Sequence, residues 1–87
     1  MKTSAAEILA LDALAYLASH SNGLPRFIAL SGLAPEDLRN RAGDSELLAS
    51  VIDFLLSDEV LCAGFLEAKK LDPRTLHAAR RALPGAA

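Results

Sequence analysis

The sequence has no tryptophan, one tyrosine, three phenylalanines and a single cysteine among its 87 residues. A lone cysteine excludes an intrachain disulfide, and we expect Cys62, which lies in an apolar stretch, to be a reduced and buried thiol. Because aromatic side chains are few, leucine and alanine must supply most of the packing, and both favour helices. The apolar share of 52% is enough for one well-filled core and argues against disorder.

An excess of positive charge and a long uninterrupted apolar run are also missing. The net charge is −2, so the chain as a whole has no attraction for nucleic acid or anionic lipid. Glu7 and Asp12 interrupt the apolar N-terminal segment, which excludes both a secretory signal and a transmembrane helix of about 20 residues. We therefore expect a cytoplasmic protein that does not insert into membranes, and nucleic acid is not a favoured partner.

No group of residues has the spacing of a catalytic, metal or cofactor site. His20 and His77 are far apart in the sequence, and neither has a cysteine or carboxylate at metal-ligand spacing. The glycines do not form a phosphate-binding loop. We therefore predict no catalytic residue, no metal ligand and no cofactor, and we expect that the protein is not an enzyme.

The pattern of apolar residues and helix-end signals predicts a compact all-α bundle of about six short helices in one domain, residues 1–87. Ser4 and Glu7 have the spacing of a capping box before a first helix that ends near Ser19. Further helices are predicted from Pro25 to Gly32, from Pro35 to just before Gly43, after Asp44, from about Asp58 to Lys69, and from Asp72 to about Leu83. Gly32 is expected to end its helix in a left-handed cap. Residues 84–87 are expected to fray.

The fourth predicted helix is apolar on most of its circumference. Its polar residues Glu46, Ser50, Asp53 and Ser57 recur at steps of four, three and four, so they form one narrow stripe. A helix with so thin a polar stripe is expected at the centre of a bundle.

The chain also resembles itself at an offset of 38 residues. Phe27, Leu33, Pro35 and Leu38 match Phe65, Leu71, Pro73 and Leu76, and Ser19 matches Ser57. This pattern predicts two related three-helix units, about 4–42 and 43–83, packed face to face around a shared core, and a helix break near Ser57 and Asp58. Chance similarity between leucine-rich helices is the alternative.

Apolar surface provides the leading hypothesis for function. The first predicted helix is apolar nearly all round, so a chain this short has either to surround it with the core or to leave part of it exposed. We predict a non-enzymatic helical protein-protein interaction module. It would be a homodimer or bind an unidentified protein through apolar residues that the core leaves exposed, such as Ile8, Leu24 and Val60.

A basic C-terminal segment gives the alternative hypothesis. Residues 69–87 contain five basic residues and only one acidic residue. A nucleic-acid-binding or regulatory domain would use Arg74, Arg80 and Arg81 of the last helix. The competing interpretation is that these cations lie near helix C-termini because the helix dipole favours them there.

The segments FIALSGLAPEDLR at 27–39, FLLSDE at 54–59 and LDP at 71–73 resemble a family of small all-helical bacterial proteins catalogued only as a domain of unknown function. The similarity covers nearly the whole chain, and its residues are those of packing and helix capping. The resemblance implies a bacterial, cytoplasmic protein and supplies no functional site.

Overall fold

Six helices make up the fold in a computed structural model, which describes residues 1–84. They are α1 (Thr3–Ser19), α2 (Gly23–Ser31), α3 (Pro35–Asn40), α4 (Ser45–Ser57), α5 (Glu59–Lys69) and α6 (Pro73–Arg81). The part of the chain so described contains no strand. The all-α prediction is therefore confirmed. The predicted fraying of residues 84–87 lies outside the described residues except for Pro84.

Aspartates begin three of the helices. Asp44, Asp58 and Asp72 each accept a hydrogen bond from a backbone N–H in the first turn of α4, α5 and α6, which satisfies a donor that the helix leaves without a partner. The bond from the Leu61 N–H and the nearby Arg26 guanidinium hold the pKa of Asp58 below its usual range, although burial opposes them. Asp58 separates α4 from α5, so the predicted break at this position is confirmed.

The predicted capping box at Ser4 and Glu7 is wrong. Helix α1 already begins at Thr3, and its N-cap residue, Lys2, makes no side-chain capping bond. The Thr3 hydroxyl instead donates to the Ala82 carbonyl at 3.3 Å. Contact with the end of α6 therefore extends α1 toward the N-terminus by one residue beyond Ser4. The local sequence could not indicate this contact, because Ala82 is distant along the chain.

Two helices end in the left-handed conformation. Gly32 after α2 has φ 74°, as predicted, and Lys70 after α5 has φ 55°. Lysine is an unusual residue here because its Cβ atom crowds the backbone in this conformation. The last helix ends at Arg81, two residues before the predicted Leu83, yet Leu83 is still buried.

Helix α4 lies at the centre of the bundle, as its narrow polar stripe predicted. It packs against α1, α2, α5 and α6. Glu46, Asp53 and Ser57 are exposed and Ser50 is partly buried. Seven of its side chains are buried, namely Leu47, Leu48, Ala49, Val51, Ile52, Phe54 and Leu55.

Helix α1 contributes mostly small side chains to the core. Its buried residues are Ala6, Ala10, Ala13 and Leu17, which recur at helical spacing and so form one face. The alanines let α1 lie close to α4, whose facing side chains are larger. Of its other long apolar side chains, Leu9, Leu14 and Tyr16 are partly buried against the core, whereas Ile8 and Leu11 are exposed.

Residues 38 positions apart share several local features. The rings of Tyr16 and Phe65 meet edge to face at 5.4 Å, and those of Phe54 and Phe27 meet in the same way at 5.5 Å. Each residue of the first pair is 38 positions from a residue of the second. Gly32 and Lys70, with their shared left-handed conformation, have the same separation.

Candidate interaction surface

The solvent-facing side of α1 is apolar. Ile8 is 62% exposed and Leu11 is 40% exposed, and Ala15 and Ala18 are exposed as well. These four residues follow one another at steps of three, four and three, so they form a single stripe opposite the buried alanines. We call Ile8, Leu11, Leu14, Ala15 and Ala18 the α1 outer face. Part of α1 is therefore exposed, and the core does not surround it.

A groove continues the α1 outer face toward α2 and α3. It has a volume of about 450 Å³, and we call it groove A. Leu14 belongs to both surfaces because it is partly buried at their common edge. Groove A is lined by Leu14, Leu24, Pro35, Leu38, Arg39 and Ala42.

Groove A lies beside α3, which buries fewer apolar side chains than α6. Helix α3 buries only Leu38, whereas α6 buries Leu76 and Ala79 and is followed by buried Leu83. The residues 38 positions before Ala79 and Leu83 are Arg41 and Ser45, which are not apolar. The sequence shows this difference only when it is aligned with itself at that offset.

Glu7 and Arg39 flank the shared edge of the α1 outer face and groove A, and neither has an ion-pair partner in residues 1–84. Glu7 is partly buried on the same side of α1 as Leu11 and Leu14, and Arg39 is an exposed residue in the wall of groove A. Four other pairs of opposite charge do form, including Arg26 with Asp58 at 2.6 Å. The sequence analysis did not select Glu7 or Arg39, because only the folded structure places these charges beside an apolar surface.

The three predicted contact residues, Ile8, Leu24 and Val60, do not form one cluster. Ile8 and Leu24 belong to the α1 outer face and groove A, respectively. Leu24 is partly buried, while Val60 is 83% exposed in the first turn of α5 and lines none of the grooves. Leu30, which the sequence analysis did not select, is 72% exposed beside a separate groove between α2 and α4.

The arginines of the alternative basic patch are largely engaged by carboxylates. Arg74 pairs with Asp72 at 3.0 Å, and Arg80 pairs with Asp53 at 2.6 Å. Arg80 also donates to the Pro84 carbonyl and its side chain is only 19% exposed. Of the three, only Arg81 lacks an ion pair within residues 1–84, so two of the charges that would meet phosphate are already balanced.

Cys62 and His77 lie in a second groove, groove B, between α4, α5 and α6. Its volume is about 260 Å³. Cys62 is partly buried, and this burial, together with the charge of Asp58, raises the pKa of its thiol. The thiolate is therefore disfavoured. Within residues 1–84 no three histidine, cysteine, aspartate or glutamate side chains come together as a metal site.

The fold and its surfaces define a small all-helical domain with an apolar surface formed by the α1 outer face and groove A. Among the described helices none combines the length and hydrophobicity needed to cross a bilayer. The chain belongs to the family DUF3572, described as a protein of unknown function, whose sequence model matches residues 3–86. Searches among curated proteins and among solved structures find no significant match.

Proposed function

We propose that the protein is a non-enzymatic helical interaction module that binds a protein partner through the α1 outer face and groove A. The observation that carries the proposal is the exposure of Ile8 and Leu11 beside a groove that contains Leu24. Exposed apolar residues are common when they occur singly, but an apolar stripe that adjoins an apolar groove is typical of a protein-binding surface. As the family resemblance implies, we place this interaction in the bacterial cytoplasm.

Variants of Ile8 and Leu24 test this proposal in the native host. Tagged wild-type protein, expressed from its own locus and fixed by a chemical cross-linker before the cells are lysed, is expected to elute from a size-exclusion column as a species larger than a single 87-residue chain. Ile8→Glu and Leu24→Glu place a charge in the apolar contact, where its desolvation opposes binding. Both variants are expected to elute as the single chain.

Leu30→Glu is the matched control, because it makes the same change at an exposed leucine outside the proposed surface. This variant should keep the size of the wild type. Circular dichroism of each purified variant checks that the fold is intact, which the exposure of Ile8 favours. A wild-type protein that elutes as one chain, or a complex that only Leu30→Glu disrupts, would refute the proposal.

We also infer that the domain arose from two related units, about 4–42 and 43–83. The crossed aromatic pairs, the left-handed residues Gly32 and Lys70, and the hydrogen bonds from the Ser19 and Ser57 hydroxyls to the carbonyls of Tyr16 and Phe54 all support a separation of 38 residues. Grooves A and B support it too, since Leu24, Pro35 and Arg39 correspond to Cys62, Pro73 and His77.

A further inference from the structure

We infer that the partner on the α1 outer face is a second copy of this chain, with the two α1 helices antiparallel and crossing at Leu11. This inference rests on the proposed function, and it names the partner for that surface. The position of the apolar residues around α1, and the charges of Glu7 and Arg39 beside them, favour this partner.

The positions on α1 suit a two-fold contact centred on Leu11. Successive residues of a helix are about 100° apart, so Ile8 and Leu14 lie on either side of Leu11 at equal steps of three along the helix. In an antiparallel pair each Ile8 lies at the same height along the interface as the other copy's Leu14, which forms the edge of groove A, and Leu24 lies beyond that edge. Ala15 and Ala18 allow close approach because their side chains are small.

The unpaired charges also fit this arrangement. Glu7 lies on one side of Leu11, and Arg39 lies in the groove beside Leu14 on the other side. The two-fold axis therefore brings each Glu7 toward the other copy's Arg39, and this charge complementarity occurs twice. A parallel pair would instead place the two Glu7 carboxylates at the same height and away from Arg39, where like charges repel and no opposite charge compensates. Charge complementarity thus favours a second copy in the antiparallel orientation.

The length of α1 suits a small interface. Helix α1 has 17 residues, so it is about 25 Å long at 1.5 Å per residue. Small specific interfaces bury about 600 Å² on each partner, which is a modest share of the 5113 Å² surface of this chain. A contact along one helix belongs to this small class, and we expect a dissociation constant in the micromolar range.

Charge reversal at Glu7 and Arg39 tests the inference by sedimentation equilibrium of the purified protein, from about 1 μM to 1 mM. Glu7→Arg and Arg39→Glu each place like charges together and are expected to weaken the dimer by about tenfold or more. The double variant restores two opposite-charge pairs and should recover most of the affinity. Leu11→Glu should abolish the dimer because two carboxylates then meet at the axis.

Asp12→Arg is the matched control, since it makes the same charge reversal on α1 to one side of the outer face and should leave the dimer unchanged. A wild-type protein that is monomeric over the whole range would overturn the inference, as would single reversals that the double variant does not rescue. If the purified protein is monomeric but the native complex still requires Ile8 and Leu24, the partner is another protein and the proposed function stands.

Discussion

Lys70 shows how a single residue can occupy a position that its side chain disfavours. Its φ of 55° lies in the left-handed region, where Gly32 stands at the corresponding position of the first unit. The backbone bond from Leu71 N–H to the Leu66 carbonyl, at 2.9 Å, holds this helix end. Sequence analysis predicted Gly32 correctly because glycine signals a left-handed cap. It could not predict the conformation of Lys70, which depends on the chain turning toward α6.

Lys70→Gly is expected to stabilise the protein. Relief of the left-handed conformation contributes about 1–2 kcal/mol, and the greater freedom of glycine in the unfolded chain offsets about 0.4–1 kcal/mol of it. The net gain should be about 0.5–1 kcal/mol in the free energy of unfolding, measured by urea denaturation. Gly32→Ala is the reciprocal control and should destabilise the protein. A lower urea midpoint for Lys70→Gly than for the wild type would contradict this account.

At the scale of the helices, α3 and α6 begin alike and differ in how much they bury. Both begin with proline and both bury a leucine, Leu38 or Leu76. Only α6 continues with further buried residues, whereas α3 ends at Asn40, although a groove lies beside each of them. Sequence signals were enough to predict the helices and the break at Asp58. They did not identify the exposed surface, because that surface depends on which helix covers α1.

The two-unit origin that we propose also makes a prediction about the order of the helices. The Thr3 hydroxyl lies 3.3 Å from the Ala82 carbonyl, so a short glycine-serine linker can join residue 84 to residue 2. A circular permutant opened between Ala42 and Gly43 keeps both proposed units intact and exchanges their order. We expect it to stay helical and to unfold cooperatively, because its new ends lie in a turn between two helices, where Gly43 is exposed.

A permutant with the same linker, opened between Ser21 and Asn22, serves as the control. Its break also lies in an exposed turn, but it falls inside the first unit and separates α1 from α2. Thermal unfolding followed by circular dichroism should give the lower midpoint for this control. Equal midpoints, or a lower one for the opening at 42 and 43, would argue against two separate units.

On the scale of the whole molecule, the sequence predicts the core more completely than it predicts the exposed surface. Apolar spacing was sufficient to predict six helices with α4 at their centre. It gave Ile8 and Leu24 as contact residues, but it grouped them with Val60, which lines none of the grooves. The roles that we propose for Leu11, Glu7 and Arg39 depend on packing between α1, α2 and α3. The binding function that we propose needs no catalytic motif, so the sequence offers no such motif to indicate it.

Site-specific photo-cross-linking in living cells tests the binding surface most directly. A photoreactive amino acid replaces Ile8 in one strain and Leu30 in another, and both positions are well exposed. We predict that illumination yields a protein adduct from position 8 and none from position 30. The adduct should have the mass of two chains if the partner is a second copy. Absence of an adduct at position 8, or equal adducts at both positions, would contradict an interaction surface on α1.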